Sequence, residues 1–221
     1  MSTTELLATA ADLGNAFAER SSEIEEARRI PPDVSAEMAA AGLYRLGVPA
    51  ALGGLEAPPA VSSEIFETLA RGDASCGWVA FIGATSGTAL AAIPAAAAAG
   101  IFTRPDTVMT GVFAPTGRAV KADGGFRVTG RWQWGSGSQN ADWVLAGCML
   151  YEDDQPMLDG QGRPRSHMAI LPAGEVEFLD TWHVSGLCGT GSLDYQVNDL
   201  FIPEERFVGY LPDGRLERTA L

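Results

Sequence analysis

Hydrophobic positions change their rhythm once along this chain. From about Thr4 to Arg29, Leu6, Leu7, Ala10, Leu13, Phe17 and Ile24 recur near helical spacing, with Glu and Arg between them. That spacing predicts one amphipathic helix. Pro31-Pro32 ends it, because proline removes a donor and restricts the residue before it. Asp33 is expected to cap a short helix that closes at Gly42. A connector with a turn at Gly53-Gly54 follows. Further helices are expected over about Pro59–Arg71, Ala74–Leu90 and Pro94–Ala99. After Asp106 the pattern alternates instead. Strands are predicted at Val108–Phe113, Ala119–Lys121, Phe126–Trp134, Trp143–Tyr151, His167–Leu171, Val176–Trp182, Leu193–Asn198 and Leu200–Ile202. Asp123-Gly124-Gly125 is a hairpin signal, and Asp153–Arg165 reads as a polar hairpin loop. Helices first and strands afterwards make an α+β protein. An N-terminal all-α domain, 1–105, is followed by an antiparallel β-barrel or sandwich domain, 106–210, with 211–221 as a truncated connector.

Composition narrows the function classes. The chain has 221 residues, 46% hydrophobic and 19% charged, which is ordinary globular material. Its net charge is −13, which argues against nucleic acid and anionic membranes as partners. No charged residue occurs from Ala74 to Thr103, but Pro94 interrupts that stretch and no basic cluster flanks it. It reads as buried helices and not as a membrane span. The three cysteines, Cys76, Cys148 and Cys188, are widely spaced, and only two histidines are present. No disulfide framework and no metal site are expected. The N-terminus lacks the features of a signal peptide, so a cytoplasmic location is expected. GxGxxG, GxxxxGK[ST] and GxSxG patterns are all missing, so Rossmann, P-loop and serine-hydrolase readings lack support.

The segment Gly130-Arg-Trp-Gln-Trp-Gly-Ser-Gly-Ser-Gln-Asn-Ala-Asp-Trp143 is unusual. Strand alternation would put Trp132, Trp134 and Ser136 on one face, beside glycines that let a ligand approach the backbone. Two indoles and a hydroxyl suit a flat aromatic ligand with polar edges. The same alternation also describes a plain core face with its Ser satisfied at the edge.

This segment resembles the flavin-contacting strand of the acyl-CoA dehydrogenase superfamily. The resemblance implies that Trp134 lies against the isoalloxazine and that Ser136 hydrogen-bonds near flavin N5 and O4. Thr110-Gly-Val-Phe-Ala-Pro115 is similar to the family's upstream flavin loop, which would place Val112 and Phe113 at the pyrimidine end of the ring. Asp180–Ser192 and Asp199–Arg206 look like later strands, and Arg71–Trp78 looks like part of the helical domain. Ala114-Pro115-Thr-Gly-Arg118 departs from the dehydrogenase pattern, which has an acidic residue before the Pro and a Gly-Ser-Asp after it. The wording is closer to the flavin-dependent monooxygenase branch. Those enzymes take reduced flavin, FAD or FMN, from a separate reductase, and hydroxylate an aromatic or polycyclic molecule. Trp78 then stands either where substrate is faced in that branch or as plain core packing. Asn140 is either a flavin contact or a turn residue, and His183 reads as structural. The family's C-terminal four-helix bundle, which carries the catalytic acid or base, has no counterpart here, so no catalytic residue is assigned. It would have to come from a separate C-terminal half or a partner chain, or the chain would pair as a homo-oligomer. The alternatives are an FAD-dependent acyl-CoA dehydrogenase, and an inactive fragment or interaction module.

Overall fold

The structure, a computed structural model, describes residues 2–209; the expected connector 211–221 lies outside them. Six α-helices are described: α1 (Thr3–Glu19), α2 (Ser21–Ala27), α3 (Pro32–Ala40), α4 (Pro59–Gly72), α5 (Ala74–Ser86) and α6 (Ala95–Ile101). Helix α1 starts on a capping box. The Ser2 hydroxyl accepts from the Glu5 amide, and the Glu5 carboxylate accepts from the Ser2 amide. The single helix expected to Arg29 is instead two. The backbone turns at Arg20, whose guanidinium is shared by Glu23 and by Asp33, thirteen residues on. Asp33 is therefore not a cap; Pro31 takes the N-cap position of α3, with Pro32 as its first residue. Helix α5 is capped by Asp73, whose carboxylate accepts the Cys76 amide at 2.8 Å. It runs into a 3-10 turn, Gly87–Ala92. By length and composition Ala74–Ala92 is long and apolar enough to cross a membrane, yet most of it is buried here.

The strands are β1 (Met109–Ala122), β2 (Gly125–Gly135), β3 (Trp143–Glu152), β4 (Gln155–Pro156), β5 (Ser166–Pro172), β6 (Glu177–Leu179), β7 (Leu193–Pro203) and β8 (Phe207–Gly209). Two pairs of predicted strands are each one long strand with an irregularity, β1 and β7. The sheet order is β6-β7-β2-β1-β3-β5-β8, with β4 on β3. Pairing is antiparallel except between β1 and β3, which run parallel. Asp123-Gly124 makes the β1–β2 hairpin, with Gly124 at φ +74°. The sheet curls upon itself. Phe126 of β2 meets Phe207 of β8 at 4.7 Å, although β1, β3 and β5 lie between those strands.

Strand β3 is buried on both faces. Val144, Ala146 and Cys148 join Trp132, Tyr195 and Phe207 inside the curled sheet. Leu145 faces the other way, into a cluster with Met168 and Ile170 of β5, Leu90, Ile93 and Ile101. A third cluster fills the helical half around Phe17, Ile24, Met38, Ile65 and Leu69. The helices thus pack on one side of the sheet, and α5 reaches the end of β2.

Candidate functional site

The site begins at an irregularity in β2. Trp132 pairs with Tyr195 and Gly135 pairs with Leu193, so Gln133 and Trp134 together oppose one residue, Asp194. This is a β-bulge, which bends a strand and re-aims a side chain. Trp134 sits at φ +65°, in the left-handed region. That conformation costs a non-glycine residue about 1–2 kcal/mol. Asp194 helps hold it: the buried carboxylate accepts from the Trp134 amide at 3.4 Å and pairs with Arg131 at 2.7 Å. The expected shared face of Trp132, Trp134 and Ser136 does not form, because the bulge breaks the alternation. Trp132 is wholly buried; its indole donates to the Gly147 carbonyl at 2.7 Å and stacks on Tyr195. Trp134 is 67% exposed.

Ser136 follows the bulge and is 7% exposed. Its hydroxyl accepts from the Trp78 indole of α5 at 2.9 Å and lies 2.7 Å from the Ser192 hydroxyl. Ser192 in turn lies 2.6 Å from the Thr190 hydroxyl, which donates to the Leu187 carbonyl at 2.9 Å. Gly137, at φ +72°, then turns the chain under α5, and its amide donates to the Thr190 carbonyl. A Cβ there would come 3.0 Å from Val79. Trp78 itself is 43% exposed and leans on Phe81 at 5.4 Å, which meets Phe66 edge-on. An indole from the helical half is thereby tied to a hydroxyl from the β half.

The upstream loop is a second irregularity. Pairing of β1 with β3 stops after Val112 and resumes at Gly117, with only Gly147 opposite the intervening residues. Phe113–Thr116 loop outward, and the Phe113 side chain is exposed. The Val112 amide is already engaged by the Tyr195 hydroxyl at 3.0 Å, so it is not free for a ligand. Tyr195 also donates to the Leu145 carbonyl, and burial raises its phenol pKa. Asn140 is a structural clamp: its carbonyl oxygen accepts from Arg29 at 2.6 Å and its amide donates to the Ile30 carbonyl. His183 lies in an exposed cluster with Arg28 and Asp180. Thr190, Ser192 and Asp194 were not singled out by sequence reasoning. The Gly189-Thr-Gly-Ser192 run, with two hydroxyls alternating with glycines, was the available signal.

Chemically, the assembled face offers an exposed indole at Trp134, a buried hydroxyl at Ser136 and an aromatic rim of Trp78 and Phe81. None of these side chains is ionisable, so they can stack, hydrogen-bond and exclude water but cannot exchange protons as acids or bases. Among the described residues no cluster of His, Cys, Asp and Glu could hold a metal ion.

Residues 3–98 match the family "Acyl-CoA dehydrogenase, N-terminal domain". The chain is 33% identical over 218 residues to the oxygenase component of an FADH(2)-dependent resorcinol hydroxylase from Rhizobium sp. (strain MTP-10005). That match covers 95% of this chain and 52% of the relative. The crystal structure of the HsaA monooxygenase from Mycobacterium tuberculosis superposes with a TM-score of 0.87 at 32% identity, over 95% of this chain and 53% of that one. XiaF from Streptomyces sp., solved in complex with FADH2 and glycerol, gives 0.81 at 30% identity, over 94% and 51%. The chain spans about half the length of the relatives it matches. Fold and sequence agree: the chain belongs to the acyl-CoA dehydrogenase superfamily, with its similarity running to the flavin-dependent hydroxylase branch.

Proposed function

We propose that the protein serves as the oxygenase component of a two-component system, taking reduced FAD or FMN from a separate reductase and hydroxylating an aromatic small molecule. The observation that carries this reading is Ser136, a buried hydroxyl held by the Trp78 indole two residues beyond the exposed Trp134. These residues fit a flavin. An exposed indole on a backbone held by Asp194 suits a flat ring, and a buried hydroxyl two residues on suits the ring's polar edge. The outward loop Phe113–Thr116 interrupts the register of β1 on β3 and is exposed, which suits the pyrimidine end. Val112 contributes through its position only, its amide being held by Tyr195. Bound there, reduced flavin supplies the electrons with which dioxygen is activated and one oxygen atom inserted.

The chain's own residues do the rest. Trp134 stacks on the ring, Ser136 sets its orientation, and Trp78 with Phe81 orients an aromatic substrate and excludes water. Three free, buried cysteines suit a reducing compartment, in keeping with the cytoplasm.

The test is an anaerobic titration of purified protein with reduced FMN and reduced FAD, followed by tryptophan fluorescence. Wild type should bind one of them in the micromolar range, and Trp134→Ala should weaken binding about tenfold. With reductase, NADH and a set of phenols and indoles, mass spectrometry should find product carrying one added oxygen. No binding of either flavin would refute the proposal.

A further inference from the structure

The hydroxyls beneath Trp78 form a chain whose direction is fixed at both ends. An indole N–H can only donate, so Ser136 accepts from Trp78. A carbonyl can only accept, so Thr190 spends its single proton on Leu187. The 2.6 Å contact between Thr190 and Ser192 must then take its proton from Ser192. The 2.7 Å contact between Ser192 and Ser136 must take its proton from Ser136. Every hydroxyl proton points away from the site, along Trp78, Ser136, Ser192, Thr190 and the Leu187 carbonyl. Ser136, Ser192 and Thr190 are all buried, so water does not scramble this order. What remains to Ser136 is one unshared lone pair.

From this polarity we infer that Thr190 and Ser192, with Trp78, are positioning residues that make Ser136 an acceptor only, so that the site admits reduced flavin and disfavours oxidised flavin. The inference rests on the flavin reading above. At the edge of the ring next to Ser136, O4 is an acceptor in both redox states. N5 is an acceptor when oxidised and carries a hydrogen when reduced. An acceptor-only Ser136 can pair with the reduced N5–H, and it meets oxidised N5 lone pair to lone pair. The site would thus hold flavin while it is reduced and loosen its hold once it is oxidised.

Thr190→Val tests this without touching Ser136 or Ser192. The Leu187 carbonyl keeps the Trp182 indole and the Thr190 amide as donors. Ser192, having lost its acceptor, can give its proton to Ser136, which frees the Ser136 proton to point into the site. Reduction also changes the ring's charge and shape, so the readout is the change in selectivity between proteins. Dissociation constants for oxidised and reduced FMN and FAD are measured anaerobically by flavin absorbance and fluorescence. The ratio of oxidised to reduced constants should fall about tenfold in Thr190→Val, the worth of one hydrogen bond, chiefly through tighter oxidised flavin. Thr190→Ser should restore the wild-type ratio. A ratio unchanged within about twofold, with both forms binding, would overturn the inference and leave the flavin reading standing. Failure of both forms to bind wild type would overturn that reading and the inference with it. If Thr190→Val does not fold, wild type is titrated with oxidised 5-deazaflavin, whose C5–H lacks the offending lone pair. It should bind more tightly than oxidised flavin; equal affinity would overturn the inference.

Discussion

Removing the Tyr195 hydroxyl should cost more stability than its size suggests. Tyr195 is wholly buried, stacked on Trp132, and its hydroxyl serves two distant backbone groups at once. It accepts from the Val112 amide of β1 and donates to the Leu145 carbonyl of β3. Tyr195→Phe keeps the ring and its packing, so no cavity larger than one oxygen opens. Two hydrogen bonds are lost, at about 1 kcal/mol each, and the Val112 amide left without its partner costs about 1 kcal/mol more. The sum is about 3 kcal/mol. For a chain of this size each kcal/mol shifts Tm by about 2–4 °C, so Tm should fall by about 6–12 °C. Thermal unfolding followed by circular dichroism measures this. Urea unfolding should show a lower midpoint at an unchanged slope. Hydrogen exchange at Val112 should accelerate relative to the helices. A Tm within about 2 °C of wild type would refute the reasoning, since it would mean that water or the ladder replaces both bonds without loss.

Two further outcomes follow from charge and burial. Hydrogen bonds from Arg20 hold the Glu23 and Asp33 carboxyls below their ordinary values of 4.5 and 3.8. A depressed carboxylate stabilises the fold above its unfolded pKa and loses that contribution as pH falls through the folded value. Tm should therefore be flat near neutrality and decline below about pH 4, and Arg20→Gln should flatten the decline; identical profiles would contradict this. Burial pushes the Cys148 thiol up to about 12 and raises that of Cys76 as well. Both should resist iodoacetamide in the folded protein at pH 8 and react in urea, as counted by mass spectrometry; rapid native labelling of Cys148 would contradict the assignment.

The sequence made the local features visible and hid those that depend on distant partners. The helix starts expected at Pro59 and Ala74 are those of α4 and α5, because prolines and caps act over a few residues. Trp134 and Ser136 were legible as unusual, but their geometry was not. The left-handed turn at Trp134 is held by Asp194, sixty residues away, and alternation carries no information about that. The parallel register of β1 on β3 was equally hidden, since β2 lies between them in the chain. Helix α1 ends early at Arg20, whose side chain reaches Asp33, a tertiary contact that periodicity does not register. Ser192 and Thr190 stand in a glycine-rich run whose sequence gives their hydroxyls no direction; Trp78, from the helical half, supplies it.

The double burial of β3 has a consequence for modularity. Composition divides the chain near residue 105, as if each side could stand alone. Yet Leu145, Met168 and Ile170 are covered by Leu90, Ile93 and Ile101, which lie before that division. Severing the chain between α6 and β1 and separating the pieces would strip an apolar stripe from each. Neither would be expected to keep its shape in water, and each would be prone to aggregate. The shared cluster predicts that the two compositional halves melt together in a single transition and tolerate a nick far better than a division.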